Sequence, residues 1–73
     1  MKIYWIKDID TCNRCIGWLK ENNYRPFVMQ YDWYQKEGFI MYLYNQSEEI
    51  EVHTKTEEVQ KMLIGYMVEF NRK

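Results

Sequence analysis

Cys12-Asn13-Arg14-Cys15 follows the apolar run Ile3-Tyr4-Trp5-Ile6 and opens the run Ile16-Gly17-Trp18-Leu19-Lys20-Glu21. The chain has no other cysteine. The first run reads as a strand over Lys2 to Lys7, and the second as a helix from Cys12 to Asn22. A Cys-x-x-Cys dithiol at a strand-to-helix junction is the pattern of thiol–disulfide exchange chemistry. In a reducing compartment two cysteines so close in sequence are catalytic, redox-sensing or metal-binding rather than a structural staple.

Working outward, Ile3 and Trp5 fall on one side of the strand and Tyr4 and Ile6 on the other. A strand apolar on both faces is expected at the centre of a sheet, covered on both sides. Asp10 or Thr11 is placed to cap the helix. Cys15, Ile16 and Leu19 give the helix an inner face, and Asn22-Asn23 ends it. Pro26 then leads into a strand, Phe27-Val28-Met29-Gln30-Tyr31, and proline at that position suits an edge. Strand, helix and strand within some thirty residues predict a parallel βαβ unit.

Asp32 to Gly38 connects to Phe39-Ile40-Met41-Tyr42-Leu43-Tyr44, the most apolar run and a third strand. Asn45-Gln46-Ser47 turns it back into Glu48–His53. There Ile50 and Val52 alternate with Glu49, Glu51 and His53, as in a half-exposed strand whose charges guard an edge. His53 is expected to be exposed there, and Tyr4, Trp5, Tyr42 and Tyr44 to be core. Thr54 and Glu57 have the spacing of a capping box. Val59, Met62, Leu63, Tyr66, Met67 and Phe70 then mark one face of a closing helix. Arg72 and Lys73 stand at its C-terminal end, where the helix dipole favours positive charge.

The order β-α-β-β-β-α predicts a small α/β domain over residues 1–73. Its four-stranded mixed sheet is expected in the order 2-1-3-4, with a helix on each face or both helices packed on the sheet.

Composition sets the remaining limits. A chain of 73 residues buries only about 60% of the surface its unfolded form exposes. Its seven Tyr, three Trp and three Phe supply large apolar payloads that offset this. Ten basic and eleven acidic residues give a net charge of −1 with no basic stripe, so no nucleic-acid partner is expected. No apolar run is long enough to span a bilayer, and the N-terminus is too short in its apolar part for a signal peptide. A cytoplasmic monomer without membrane contact is expected. Zinc takes about four ligands. Beyond the cysteines only His53 and carboxylates remain, so no metal is expected.

With dithiol, element order and closing helix in place, the chain resembles a very short glutaredoxin of the thioredoxin-fold superfamily, over nearly its whole length. The resemblance implies a minimal thioredoxin-like fold and a small disulfide oxidoreductase. Cys12 would attack a target disulfide and Cys15 would resolve the mixed disulfide. Lys7 and Arg14 would tune the thiolate. No bound cofactor is implied; glutathione or a thioredoxin reductase would serve as reductant. The target would be a protein disulfide, with ribonucleotide reductase among the candidates.

The family pattern also differs at named positions. Its proline before the third strand is replaced by Lys36-Glu37-Gly38. Its lysine three residues before the first cysteine is Ile9. Its acidic cluster before the last helix is His53-Thr54-Lys55-Thr56. The helix usually found between the second and third strands has only Asp32 to Gly38 to occupy. That short connection is expected to pass over a central strand and bring Trp33 and Tyr34 beside the dithiol as a substrate wall. Two readings leave the sequence: a dithiol oxidoreductase, and a redox-fold binding module with idle thiols that holds a protein partner through its aromatic surface.

Overall fold

The computed structural model describes residues 2–72; Met1, and Lys73 with its expected place at the helix end, lie outside the described residues. The elements are β1 (Lys2–Ile6), α1 (Ile9–Glu21), β2 (Arg25–Tyr31), β3 (Phe39–Tyr44), β4 (Glu49–Thr54) and α2 (Glu57–Asn71). The element order is therefore the one expected from the sequence.

The sheet order is β1-β4-β3-β2, not 2-1-3-4. β1 pairs parallel with β4, while β2, β3 and β4 form an antiparallel meander. The short connections dictate the meander: Tyr31 pairs with Phe39, so Asp32 to Gly38 is a hairpin loop and crosses no strand. That leaves two edges where β1 can add. On the β2 side, Pro26 has no N–H and the register shifts between Pro26 and Val28; both features discourage pairing. β1 adds instead to β4. α1 makes the long return possible. Its thirteen residues span about 20 Å, more than the roughly 14 Å across three strand spacings.

This topology reverses two expectations. β1, expected at the centre, is an edge strand. β4, expected at an edge, is central, and its alternating Glu residues do not guard an edge.

The register sorts the side chains into two faces. One face carries the cross-sheet rows Lys2–Ile50–Leu43–Pro26, Tyr4–Val52–Met41–Met29 and Ile6–Thr54–Phe39–Tyr31. Met41, Leu43, Ile50 and Val52 of these rows form one core with Leu19 of α1 and Val59, Leu63 and Tyr66 of α2. Both helices therefore pack on the same face. Met62, Met67 and Phe70 are partly buried against that core, so the expected inner face of α2 is present. The other face carries the rows Ile3–Glu51–Tyr42–Val28 and Trp5–His53–Ile40–Gln30. No helix lies over it.

The helix ends also differ from expectation. α1 starts earlier, with Asp8 as its cap: Asp8 Oδ1 accepts the Thr11 N–H at 2.8 Å. The cap is neither Asp10 nor Thr11. At the other end Asn22 is the C-cap, and Asn23 takes the left-handed conformation at φ 58°, as expected for this pair. The capping box does not form: Thr56 is the N-cap of α2 and makes no side-chain cap bond, while Thr54 ends β4 and accepts the Thr56 N–H.

Candidate functional site

The early start of α1 changes the setting of the dithiol. Cys12 lies a full turn inside the helix, and its N–H already donates to the Asp8 carbonyl at 3.0 Å. The free N–H groups of the first turn serve the Asp8 carboxylate, which Thr11 holds below its ordinary titration range. The helix N-terminus therefore stabilises an anion at Asp8 rather than at sulfur.

Cys12 is 0% exposed and belongs to the core, whereas Cys15 is partly exposed. The thiols are free, with no disulfide between them. Burial raises the Cys12 thiol above its ordinary value. Burial, and then the neighbouring Cys12, push Cys15 up to about 11. Both environments favour the neutral thiol over the nucleophilic thiolate.

Of the residues expected to serve the dithiol, Arg14 lines a cavity together with Cys15. A shallow cavity of about 320 Å³ is lined by Tyr4, Trp5, Ile6, Thr11, Arg14, Cys15 and Trp18. Arg14 is solvent-exposed and donates weakly to Thr11 Oγ1 at 3.5 Å. Lys7 is exposed and lines a separate depression with Asp8, Asp10 and the start of α2. Trp33 and Tyr34 do not line the Cys15 cavity. Their loop joins β2 to β3, two and three strands from β1, or about 10–14 Å away across the sheet. Trp33 is 75% exposed and packs on Tyr31, and Tyr34 is 99% exposed. The expected substrate wall is not assembled, because adjacent β2 and β3 leave the loop nothing to cross.

The loop is ordered by its own hydrogen bonds. Asp32 Oδ1 accepts the N–H groups of Tyr34 and Gln35, and Asp32 exchanges main-chain bonds with Lys36 and Gly38. Gly38 takes φ +82°, where a side chain is strained, and a Cβ there would collide with the Thr54 carbonyl.

The open sheet face is the larger feature. Most of its apolar residues are exposed, Ile3 by 52%, Trp5 by 46%, and also Val28, Phe27 and Tyr44, while Ile40 is buried. Phe27 packs edge-on to Tyr44 with ring centroids 5.4 Å apart, and it also contacts Tyr42. At the far end Trp5 lies on His53 at 4.7 Å, with the Lys55 ammonium 5.9 Å from the indole centre. Trp5 and Tyr44 are thus surface residues, not core. His53 is 7% exposed on a central strand, not exposed on an edge as expected. Its Nε2 meets Glu51 Oε1 at 2.8 Å, and its Nδ1 stands 3.7 Å from the buried Asp32 carboxylate.

The sequence does not announce this surface, because apolarity on both faces of β1 reads as burial. The available signal was Pro26, which marks β2 as a closed edge and leaves only β4 for β1 to join.

Among the described residues no cluster of three or more His, Cys, Asp or Glu side chains is placed to hold a metal ion. Among the same residues no helix is long and apolar enough to cross a membrane. No protein-family model, curated protein or solved structure matches this chain.

Proposed function

We propose that this chain is a protein-interaction module whose contact surface is the open sheet face. The observation that carries the reading is the placement of both helices on one face while the other presents Ile3, Trp5, Val28, Phe27 and Tyr44 to solvent. So much exposed apolar surface on one face of a small chain is expensive to leave in water and marks an interaction site. Aromatic residues provide contact area at low entropic cost, and a hydrogen-bonded sheet holds them rigidly. Tyr42, Gln30 and Glu51 add polar groups, with Gln30 Nε2 donating to the Tyr42 hydroxyl at 3.2 Å.

The test is site-specific photocrosslinking in cells that express the protein. A crosslinker replacing Tyr44 is expected to give one discrete protein adduct, and one replacing exposed Ile64 on α2 is expected to give none. Equal labelling from both positions, or no adduct from Tyr44, overturns the reading.

A second reading, disulfide exchange, is favoured by one observation: Cys15 opens onto the cavity that Arg14 lines. In that reading Cys15 is the accessible sulfur and attacks the target disulfide, with Cys12 behind it as resolver. A dithiol-dependent reduction assay on an exposed protein disulfide separates the readings. Turnover lost in Cys15→Ser supports exchange; wild-type rates no faster than free dithiol exclude it.

A further inference from the structure

The two edges of the sheet are protected unequally. At the β2 edge, Pro26 and the register shift beside it interrupt the outward row of main-chain groups. β1 has neither a proline nor a register shift against β4, and its only charged residue is Lys2 at the first position. Unguarded apolar edges pair with other strands unless covered. Apolar side chains flank this edge on both sides: Ile3 and Trp5 on the open face, and Tyr4 with Trp18 on the helix side, their rings 5.4 Å apart.

We propose that the β1 edge is the contact between two copies of this chain. The sequence of β1 is self-complementary about its midpoint. A two-fold axis perpendicular to the sheet makes the two β1 strands antiparallel, as an isologous contact requires. Centred on Tyr4, this pairing sets Ile3 of one copy against Trp5 of the other, twice. An aromatic residue opposite a β-branched one is a favourable cross-strand pair. Lys2 then opposes Ile6 at the open ends of the pair, where its ammonium reaches water. The result is an eight-stranded sheet with all four helices on one face and one continuous open face on the other.

The area sets the strength. The exposed parts of Ile3, Trp5 and Trp18 amount to roughly 300 Å² of apolar surface per copy. With the paired backbones, the total burial approaches about 1,000 Å², the lower bound for a specific contact. An area at that bound places the contact among weak, reversible ones. The dimer replaces the monomer expected from the sequence. Ile3 and Trp5 of the open face belong to this contact, whereas Phe27, Tyr42 and Tyr44 lie toward the opposite edge and stay uncovered for another partner.

Sedimentation velocity on the full chain, from about 10 μM to about 1 mM, covers the range of a weak contact. Wild type is expected to pass from monomer to dimer. Ile3→Lys and Trp5→Glu, each alone, are expected to raise the dissociation constant at least about 10-fold. The double variant Ile3→Lys/Trp5→Glu opposes an ammonium and a carboxylate twice across the axis. It is expected to dimerise more tightly than either single variant. Hydrogen exchange on wild-type protein needs no variant: concentration-dependent protection is expected at residues 3–6 and not in β2. A monomer at about 1 mM overturns the proposal and leaves the edge to an extended segment of another protein. So does a dimer that protects β2, or a double variant no better than the singles.

Discussion

The Tyr66 hydroxyl donates to the main-chain carbonyl of Tyr24 at 2.8 Å, joining α2 to the start of β2 inside the core. Tyr24 in turn donates its own hydroxyl to Glu48 at 2.6 Å, next to the turn between β3 and β4. These two bonds connect the closing helix to both ends of the meander.

Removing the first hydroxyl isolates its effect. Tyr66→Phe keeps the ring, which is 4% exposed, and leaves a buried carbonyl without its donor. The expected loss is about 1–2 kcal/mol, read from urea unfolding. Tyr66→Phe within about 0.3 kcal/mol of wild type would mean the bond contributes nothing net.

Alkaline pH acts on the second bond. The Glu48 hydrogen bond, with burial, holds the Tyr24 phenol up to about 12, against an ordinary 10.0. Cys15 is raised to about 11 from 9.0. Both are acids whose folded values exceed their unfolded ones. The stability they contribute is therefore complete below pH 9 and lost as pH rises through 11 for Cys15, and through 12 for Tyr24. Thermal unfolding is expected to show a midpoint falling steadily from pH 9 upward. Tyr24→Phe is expected to flatten the fall above pH 10, and Cys15→Ala the part between 9 and 11. Unchanged pH profiles in both variants would contradict the assignment.

The thiols should behave as packing groups. With Cys15 near 11, only about one thiol in ten thousand is ionised at neutral pH. Native protein is expected to alkylate with iodoacetamide far more slowly than a free cysteine peptide. Cys12 should react only after unfolding. Cys12→Ser places a hydroxyl in the core and is expected to cost about 1–3 kcal/mol. Cys15→Ser should cost less. Rapid alkylation of Cys12 in the folded state would show a nucleophile that this packing does not permit.

Gly38→Ala tests the loop. The added methyl group meets the Thr54 carbonyl and the Lys55 backbone at a φ that side chains rarely adopt. Destabilisation above about 1 kcal/mol is expected, with greater hydrogen exchange at Tyr34, Gln35 and Lys36, whose N–H groups bond to Asp32. A neutral substitution would mean the loop shifts without resistance.

Local patterns in the chain were legible wherever one element determined them. Phe39–Tyr44 was bounded correctly because its apolar run is uninterrupted. The inner face of α2 followed from its helical spacing, and the end of α1 from Asn22-Asn23. The pairing of strands was not legible in the same way. The alternation of Glu49, Glu51 and His53 describes one half-polar face and carries no information on whether neighbours exist on both sides. Ile3 and Trp5 read as buried because apolar side chains usually are. Here they lie on a face that no helix covers. The dithiol was visible as a motif, but its environment depended on Asp8, whose capping role moved Cys12 one turn into the helix and out of reach of the terminal N–H groups.

On the proposed reading a partner binds the open face and the thiols take no part. Once crosslinking at Tyr44 has identified a partner, calorimetric titration of that partner is the most direct test. Phe27→Ser/Tyr44→Ser is expected to weaken binding by about 30-fold, near 2 kcal/mol, while Cys12→Ala/Cys15→Ala stays within about 2-fold. The opposite pattern, with affinity lost in the thiol variant and kept in the face variant, would place binding at the thiols instead.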